Sequence, residues 1–382
     1  MKIEQRLWTQ DKGWEITMPG NFKEPPQLIL VFGGRRIVEE EKYYDIIHSY
    51  YPESHIIECS TAGEILDTRV RDNSLSVTAV HFEKTTLQFA EIDIVGVDDS
   101  LASGEKLAAM LPQEGLVHAM VFCDGLRVNG TSLVQGLNNK LPTGVAITGG
   151  LVGDGAEFMH TALGLDHAAK EGKIILIGFY GASLRVGYGS YGGWDTLGID
   201  RTITKSKGNV LYELDGKPAL ELYKTYLGDK ASGLPGTGLL FPLRLHFGED
   251  GNEDEVVRGV LGVDEKEQSM TFGGDMPEGL QVTLMKANFE RLIDGAKSAG
   301  SRSVKSLESF KPQLAILVSC VARKLVLKER VEEEIEAVSE IVGIDAAITG
   351  FYSYGELCPT AAGENQCRLH NQTMTITAFY ED

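Results

Sequence analysis

The sequence predicts a mixed α/β (α+β) protein in which a strand–helix–strand unit recurs. Three observations carry this reading. Apolar runs ending in small residues appear at "QLILVFGG", "HAMVFCDG" and "QLAILVSC". Each is followed by a stretch with helical periodicity and a second apolar run. Between these units the pattern changes to an alternation of period two, the signature of antiparallel strands.

The first unit opens with a buried-type strand from Gln27 to Gly34. Tyr43, Ile47 and Tyr50 then stand at i, i+4 and i+7, one face of a helix. The strand "HIIEC" and the turn "STAGEI" complete it. The second unit follows "HAMVFCDG" with Leu133, Leu137 and Leu141 on one helical face, then "GVAITGG" and the turn "LVGDG". In the third, "QLAILVSC" leads to a helix lined by Val331, Ile335, Val338 and Val342, and "AAITG" runs into "FYSYGELCP". Thirty residues separate Gly33 from Gly63 and Cys123 from Gly153, and thirty-five separate Cys320 from Gly355. Such a fixed period is the mark of an internal repeat, and it predicts that the three turns open on a common side.

After each turn the alternating runs read as β-hairpins: "SLSVTAVHF" with "TTLQFAEIDI", and "KIILIGFYG" with "ASLRVGYGSYGG". A meander is expected through "LLFPLRLHF", "EVVRGVLGVD", "SMTFGGDMP" and "LQVTLMKA", with acidic turns such as "GEDGNED" between strands. Further helices are expected at Leu101 to Leu111, Pro218 to Leu227 and Phe289 to Ala299. The glycine-rich stretch from Gly187 to Gly198 and the basic "TKSKGN" mark the region of a domain boundary. Two domains are expected, 1–217 and 218–382.

The chain has 382 residues, 36 Lys and Arg against 55 Asp and Glu, and a net charge of −19. That balance argues against nucleic acid and anionic membrane surfaces, which attract basic patches. No apolar run reaches the roughly 18 residues of a membrane span, and "MKIEQRLWTQ" lacks the apolar core of a secretory signal. Five cysteines, an odd number with no CxxC, point to free thiols in a cytoplasmic protein.

The turns carry the candidate site. Strand ends of parallel units line ligand crevices. Ser60, Thr61, Gly63 and Glu64, then Gly150, Gly153 and Asp154, then Tyr352, Tyr354, Gly355 and Glu356 fall at such ends. All three turns place an acid directly after a glycine. Glycine admits a ligand to the backbone, hydroxyls and N–H groups hydrogen-bond it, and tyrosine rings supply an apolar wall. Glu64 or Glu356 suits an ammonium group, so the eleven residues are expected to gather around one small-molecule pocket. His370 and Asn371 join the candidates because a strand begins there. No Walker loop, HxH or HExxH occurs. His118 lies in an apolar run and reads as a core residue, and Cys358 lacks a nearby base, so no catalytic residue and no metal site is expected.

In order along the chain, "ECSTAGEI", "ITGGLVGDGAEF", "KSKGNVLYELDGKPALELYKTYLG", "RGVLGVDEKEQSMTFGGDMPEG", "GFYSYGELCP" and "LHNQTMTITAFYED" resemble the FIST family, expanded as F-box and intracellular signal transduction. The resemblance implies a pseudo-symmetric architecture of FIST N-terminal and C-terminal domains. It implies a cytoplasmic sensory module that binds a small ligand, such as an amino acid or related metabolite. The acidic, enzyme-motif-poor chain fits that better than catalysis, with an enzyme using a pocket cysteine or carboxylate as the alternative. The chain shows no output domain, so signalling would pass through a separate partner, such as a histidine kinase or a cyclic-di-nucleotide enzyme. It also implies a haem-binding, nitric-oxide-sensing alternative, although no histidine or cysteine stands out as an axial ligand.

Overall fold

A computed structural model describes residues 1–247, 256–308, 310–360 and 366–382. The three predicted units are present, and each pairs its two strands in parallel. Leu28–Gly33 lies beside His55–Ser60, Leu116–Cys123 beside Ala146–Leu151, and Leu314–Cys320 beside Ala347–Ser353. The connecting helices are Glu41–Tyr50, Gly130–Lys140 and Val331–Val342. Most of the positions that the periodicity marks are buried: Tyr43 and Ile47, Leu133 and Leu137, and Ile335, Val338 and Val342; Tyr50, at the end of the first helix, is instead 40% exposed, and Val331 is half-buried. Each unit adds a closing strand antiparallel to its first: Leu75–His81, Lys173–Tyr180 and Met374–Glu381.

The expected hairpins do not form. Leu75–His81 pairs with Lys2–Thr9, and Thr86–Asp93 pairs forward with Lys173–Tyr180 in the second unit. Leu184–Tyr191 likewise pairs forward with Met374–Glu381 in the third. In each unit the closing strand's outer neighbour comes from earlier in the chain than the unit itself; in the first, Gly13–Met18 adds one more strand beyond Lys2–Thr9. Alternation alone marks a half-buried strand and is silent on which neighbour it meets.

The units are also interlocked. After its second strand, each chain segment crosses to a neighbouring unit. Glu64–Leu66 pairs with the third unit's second strand, Leu163–Leu165 with the first unit's, and Gly355–Pro359 with the second unit's. A closed ring of backbone hydrogen bonds stands at this crossing. Ala62 donates to the Tyr352 carbonyl at 2.8 Å, Gly153 to Ser60 at 3.2 Å, and Tyr354 to Leu151 at 3.0 Å. The turns therefore meet at a common side, as the repeat predicts.

The inner faces of the three sheets share one core, in which Phe32, Phe122 and Phe351 lie 4.9 to 6.1 Å apart by ring centroid. A fourth sheet is built mostly from residues 195–286 around its own core, with helix Ala219–Leu227 packed on it. The chain leaves the repeat core just after Tyr191. The glycines before that exit are structural: a Cβ on Gly187 would stand 2.0 Å from the Ser303 carbonyl, so the bare strand lets helix Phe289–Ser306 lie close. "TKSKGN" is a hairpin inside the fourth sheet, between Arg201–Lys207 and Val210–Leu214. The "GEDGNED" turn lies outside the described residues. Strands from both sides of residue 217 share three of the four sheets. No described helix is long and apolar enough to cross a membrane.

Candidate functional site

The hydrogen-bond ring fixes which positions of the three units correspond. Ser60, Leu151 and Tyr352 are equivalent acceptors, and Ala62, Gly153 and Tyr354 are equivalent donors. Two positions further on stand Glu64, Gly155 and Glu356. The first and third units then build the same buried cluster. Thr61 donates to Glu64 Oε1 at 2.6 Å, while the Ser74 N–H and hydroxyl donate to Oε2 at 3.0 and 2.8 Å. Ser353 donates to Glu356 Oε1 at 2.8 Å, and the Thr373 N–H and hydroxyl donate to Oε2 at 3.1 and 2.8 Å. Burial pushes both carboxyls up to about 7, against the opposing pull of these donors.

Asp154 is not the third member. It sits one position earlier, level with Gly63 and Gly355, because the second unit has Val152 and Gly155 where the others have a hydroxyl and a glutamate. Counting acids after glycines missed this shift. Asp154 instead holds its own loop. It accepts from the N–H groups of Phe158, Met159 and His160 at 2.9 Å each, and from the Tyr354 hydroxyl. Burial acts to raise its pKa, but these donors outweigh it and hold the carboxyl below its ordinary value.

Two cavities open beside the ring. The first, of about 410 Å³, is lined by Arg35, Arg36, Thr61, Glu64, Asp154 and Glu157, among others. Its volume lies within the range of small-molecule sites. It combines both signs of charge. Arg36 is largely exposed and meets Glu157 at 3.3 Å, and Arg35 meets Glu39 at 3.0 Å. Asp72 also lines it and pairs with Lys324 of the third unit, whose Nζ donates to the Ala62 carbonyl at 2.8 Å. The second cavity, of about 280 Å³, lies between the second unit and the fourth sheet and is lined by Tyr354. Tyr354 thus touches one cavity with its ring and, through Asp154, the other with its hydroxyl.

The single pocket drawn from the sequence is therefore divided. Thr61, Glu64 and Asp154 reach the first cavity and Tyr354 the second. Ser60 is spent on the fold, its hydroxyl accepting from the Ala162 N–H at 2.8 Å. Gly63, Gly150, Gly153 and Gly355 support the crossing by packing closely against Lys324, Val318, Ala62 and Leu369 respectively. Tyr352 is fully buried and donates to Glu334 at 2.7 Å, so it is not a pocket wall. Glu356 is fully buried and lines neither cavity. His370 is also buried, its Nε2 beside the Cys358 carbonyl at 3.0 Å, and burial lowers its pKa to about 4. Asn371 is buried behind Gly273.

Arg35, Arg36 and Asp72 were missed. "GGRR" directly after the first strand was a usable signal, since it sets two cations where strand ends open. The five cysteines are free and buried, and burial raises the thiol pKa of Cys358, which suits a packing role. Neither cavity is lined by histidine, cysteine or methionine, and the Tyr354 hydroxyl is held by Asp154. The residues that line these two cavities do not fit a haem.

Three interlocked strand–helix–strand units with a charged cavity beside their crossing are what the chain presents for comparison. The FIST N domain matches residues 27–217 and the FIST C domain residues 219–359, and the chain belongs to the FIST family, whose domains serve in signal-transduction sensing. The matches are to these two domains, and the F-box part of the expanded name does not hold. The chain is 23% identical to an uncharacterized protein of Methanocaldococcus jannaschii over 395 residues, covering 90% of this chain and 72% of that one. A cyanuric acid hydrolase from A. caulinodans aligns with 94% of this chain and 90% of its own at a TM-score of 0.32 and 8% identity, which carries no argument.

Proposed function

We propose that the chain is a sensory module whose ligand site is the 410 Å³ cavity, and that its ligand is a small zwitterion such as an amino acid. One observation carries this reading: arginines and carboxylates face the same small cavity, Arg35 and Arg36 with Glu64 and Asp154. A guanidinium takes a ligand carboxylate in paired hydrogen bonds, and a carboxylate takes the ammonium. Ligand binding would exchange the exposed Arg36–Glu157 pair for contacts with the ligand. The cost is small, because exposed ion pairs are worth little. The module acts without catalysis, in the cytoplasm, and passes its signal to a separate protein such as a histidine kinase or a cyclic-di-nucleotide enzyme.

The test is a thermal-shift screen of the full chain against amino acids and related metabolites, followed by calorimetry. A ligand of the native state raises the melting temperature by mass action. Arg36→Ala and Asp154→Asn should each abolish the shift from a hit. A hit that survives both substitutions overturns the cavity assignment.

A further inference from the structure

We propose that the second cavity is a separate binding site for an uncharged, flat, ring-bearing small molecule. Its lining contains no Asp, Glu, Lys, Arg or His. It contrasts with the charged first cavity, which is lined by Arg35, Arg36, Glu64 and Asp154. A charged ligand would lose water there without gaining a counter-charge, a heavy penalty in a largely apolar space.

The shape favours a ring. Tyr354 and Phe158 both line the cavity and stack on each other, with centroids 4.4 Å apart and planes 16° from parallel. That leaves ring surface for an added layer or an edge contact. Leu151, Leu261, Phe272 and Leu369 supply apolar wall. The volume of about 280 Å³ suits one or two fused rings and little more.

The lining supplies the ligand's hydrogen bonds through the side-chain amides of Asn129 and Asn209. An amide side chain both donates and accepts. A ring carrying an N–H or amide group is the matching chemistry.

The experiment titrates the full chain with benzamide and indole, and with benzoate and benzylamine as charged counterparts, by calorimetry. The neutral probes should saturate, and the charged pair should bind at least about tenfold more weakly. Leu261→Arg, at a half-exposed wall position, should weaken neutral-probe binding by a similar factor with an unchanged melting temperature. Leu126→Trp, which fills the cavity from its rim, is the second variant should the first fail to fold. Equal binding of charged and neutral rings, no binding of either neutral probe, or unchanged affinity in a folded variant overturns the proposal. Arg36→Ala leaves ring binding intact while removing the zwitterion signal, so failure at one cavity is distinguishable from failure at the other.

Discussion

Arg323 is fully buried and forms an ion pair with Glu334, whose Oε2 receives its Nε at 3.0 Å and its Nη2 at 2.7 Å. The remaining donors reach the carbonyls of Gly192 and Leu292, and Glu334 Oε1 accepts from Ser319 and Tyr352. One pair therefore ties the third unit's strands and helix to the exit of the chain toward the fourth sheet. Removing one partner leaves a bare buried charge, which typically costs about 3–5 kcal/mol. Glu334→Leu should lose that much in denaturant unfolding, and Arg323→Met/Glu334→Leu should recover a large part. A double variant as unstable as the single one would show that geometry, not charge, is what the pair supplies.

How much of this was legible in the sequence follows from what kind of information each feature needs. Helix faces such as Leu133–Leu137 and Ile335–Val338 are local periodicities and were read directly. So were the parallel units, because an apolar run ending at Gly33 or Cys123 and resuming after one helix has few packings available. The partner of Thr86–Asp93 was not legible, since strand pairing is long-range. The site was half legible for the same reason. Glu64 and Asp154 were found as turn acids, but only the ring from Ala62 to Tyr352 shows that they are out of register. The Arg323–Glu334 pair was not legible either, since it forms only where helix Val331–Val342 brings Glu334 against Arg323.

Stability should fall as the pH rises above about 6.5. Burial raises the pKa of Glu64 and Glu356 to about 7 and that of Glu58 to about 8. In the native state these groups hold protons that the unfolded chain has already released. A raised carboxyl contributes stability below its unfolded pKa and loses it through the folded one. His118 and His370 oppose this at lower pH, because burial depresses them to about 3 and 4, and their penalty ends near pH 6.5. Between pH 6.5 and about 8 the carboxyls dominate, each worth at most about 1.4 kcal/mol per pH unit while still protonated; above that the five buried thiols, raised by burial, add to the decline as unfolded cysteines ionise. Glu58→Gln should flatten the decline in melting temperature over that window. A flat wild-type profile would show that these carboxyls are not held protonated.

Gly149 and Gly350 are equivalent positions in the second strands of two units, at φ of +145° and +159°. A Cβ on Gly149 would lie 1.8 Å from the Val121 carbonyl oxygen, and one on Gly350 1.9 Å from that of Leu317. The obstacle is the backbone of the paired first strand, which cannot swing aside as a side chain can. Gly149→Ala should cost about 3 kcal/mol or more, from overpacking and a strained backbone together. Gly96→Ala, where no atom stands within 4 Å, should change stability by less than about 0.5 kcal/mol. Equal melting temperatures for the two variants would contradict the close strand approach.

Glu64 and Glu356 have the same kinds of donor, the same burial and the same raised pKa, yet of the two described cavities Glu64 borders the first and Glu356 neither. The pair is thus an internal control for the ligand site. At pH 8 both are largely ionised, and a ligand ammonium can gain from Glu64 alone. A buried charged hydrogen bond is worth about 1.5–3 kcal/mol, or roughly ten- to a hundredfold in affinity. Glu64→Gln should weaken zwitterion binding by that factor in calorimetry. Glu356→Gln should leave the affinity unchanged while altering stability to the same extent as Glu64→Gln, because each substitution puts an amide N–H₂ where the carboxylate accepted from Thr61 or Ser353. If both variants lost ligand equally, the effect would be propagated through the shared crossing, and the first cavity would not be where the ammonium sits.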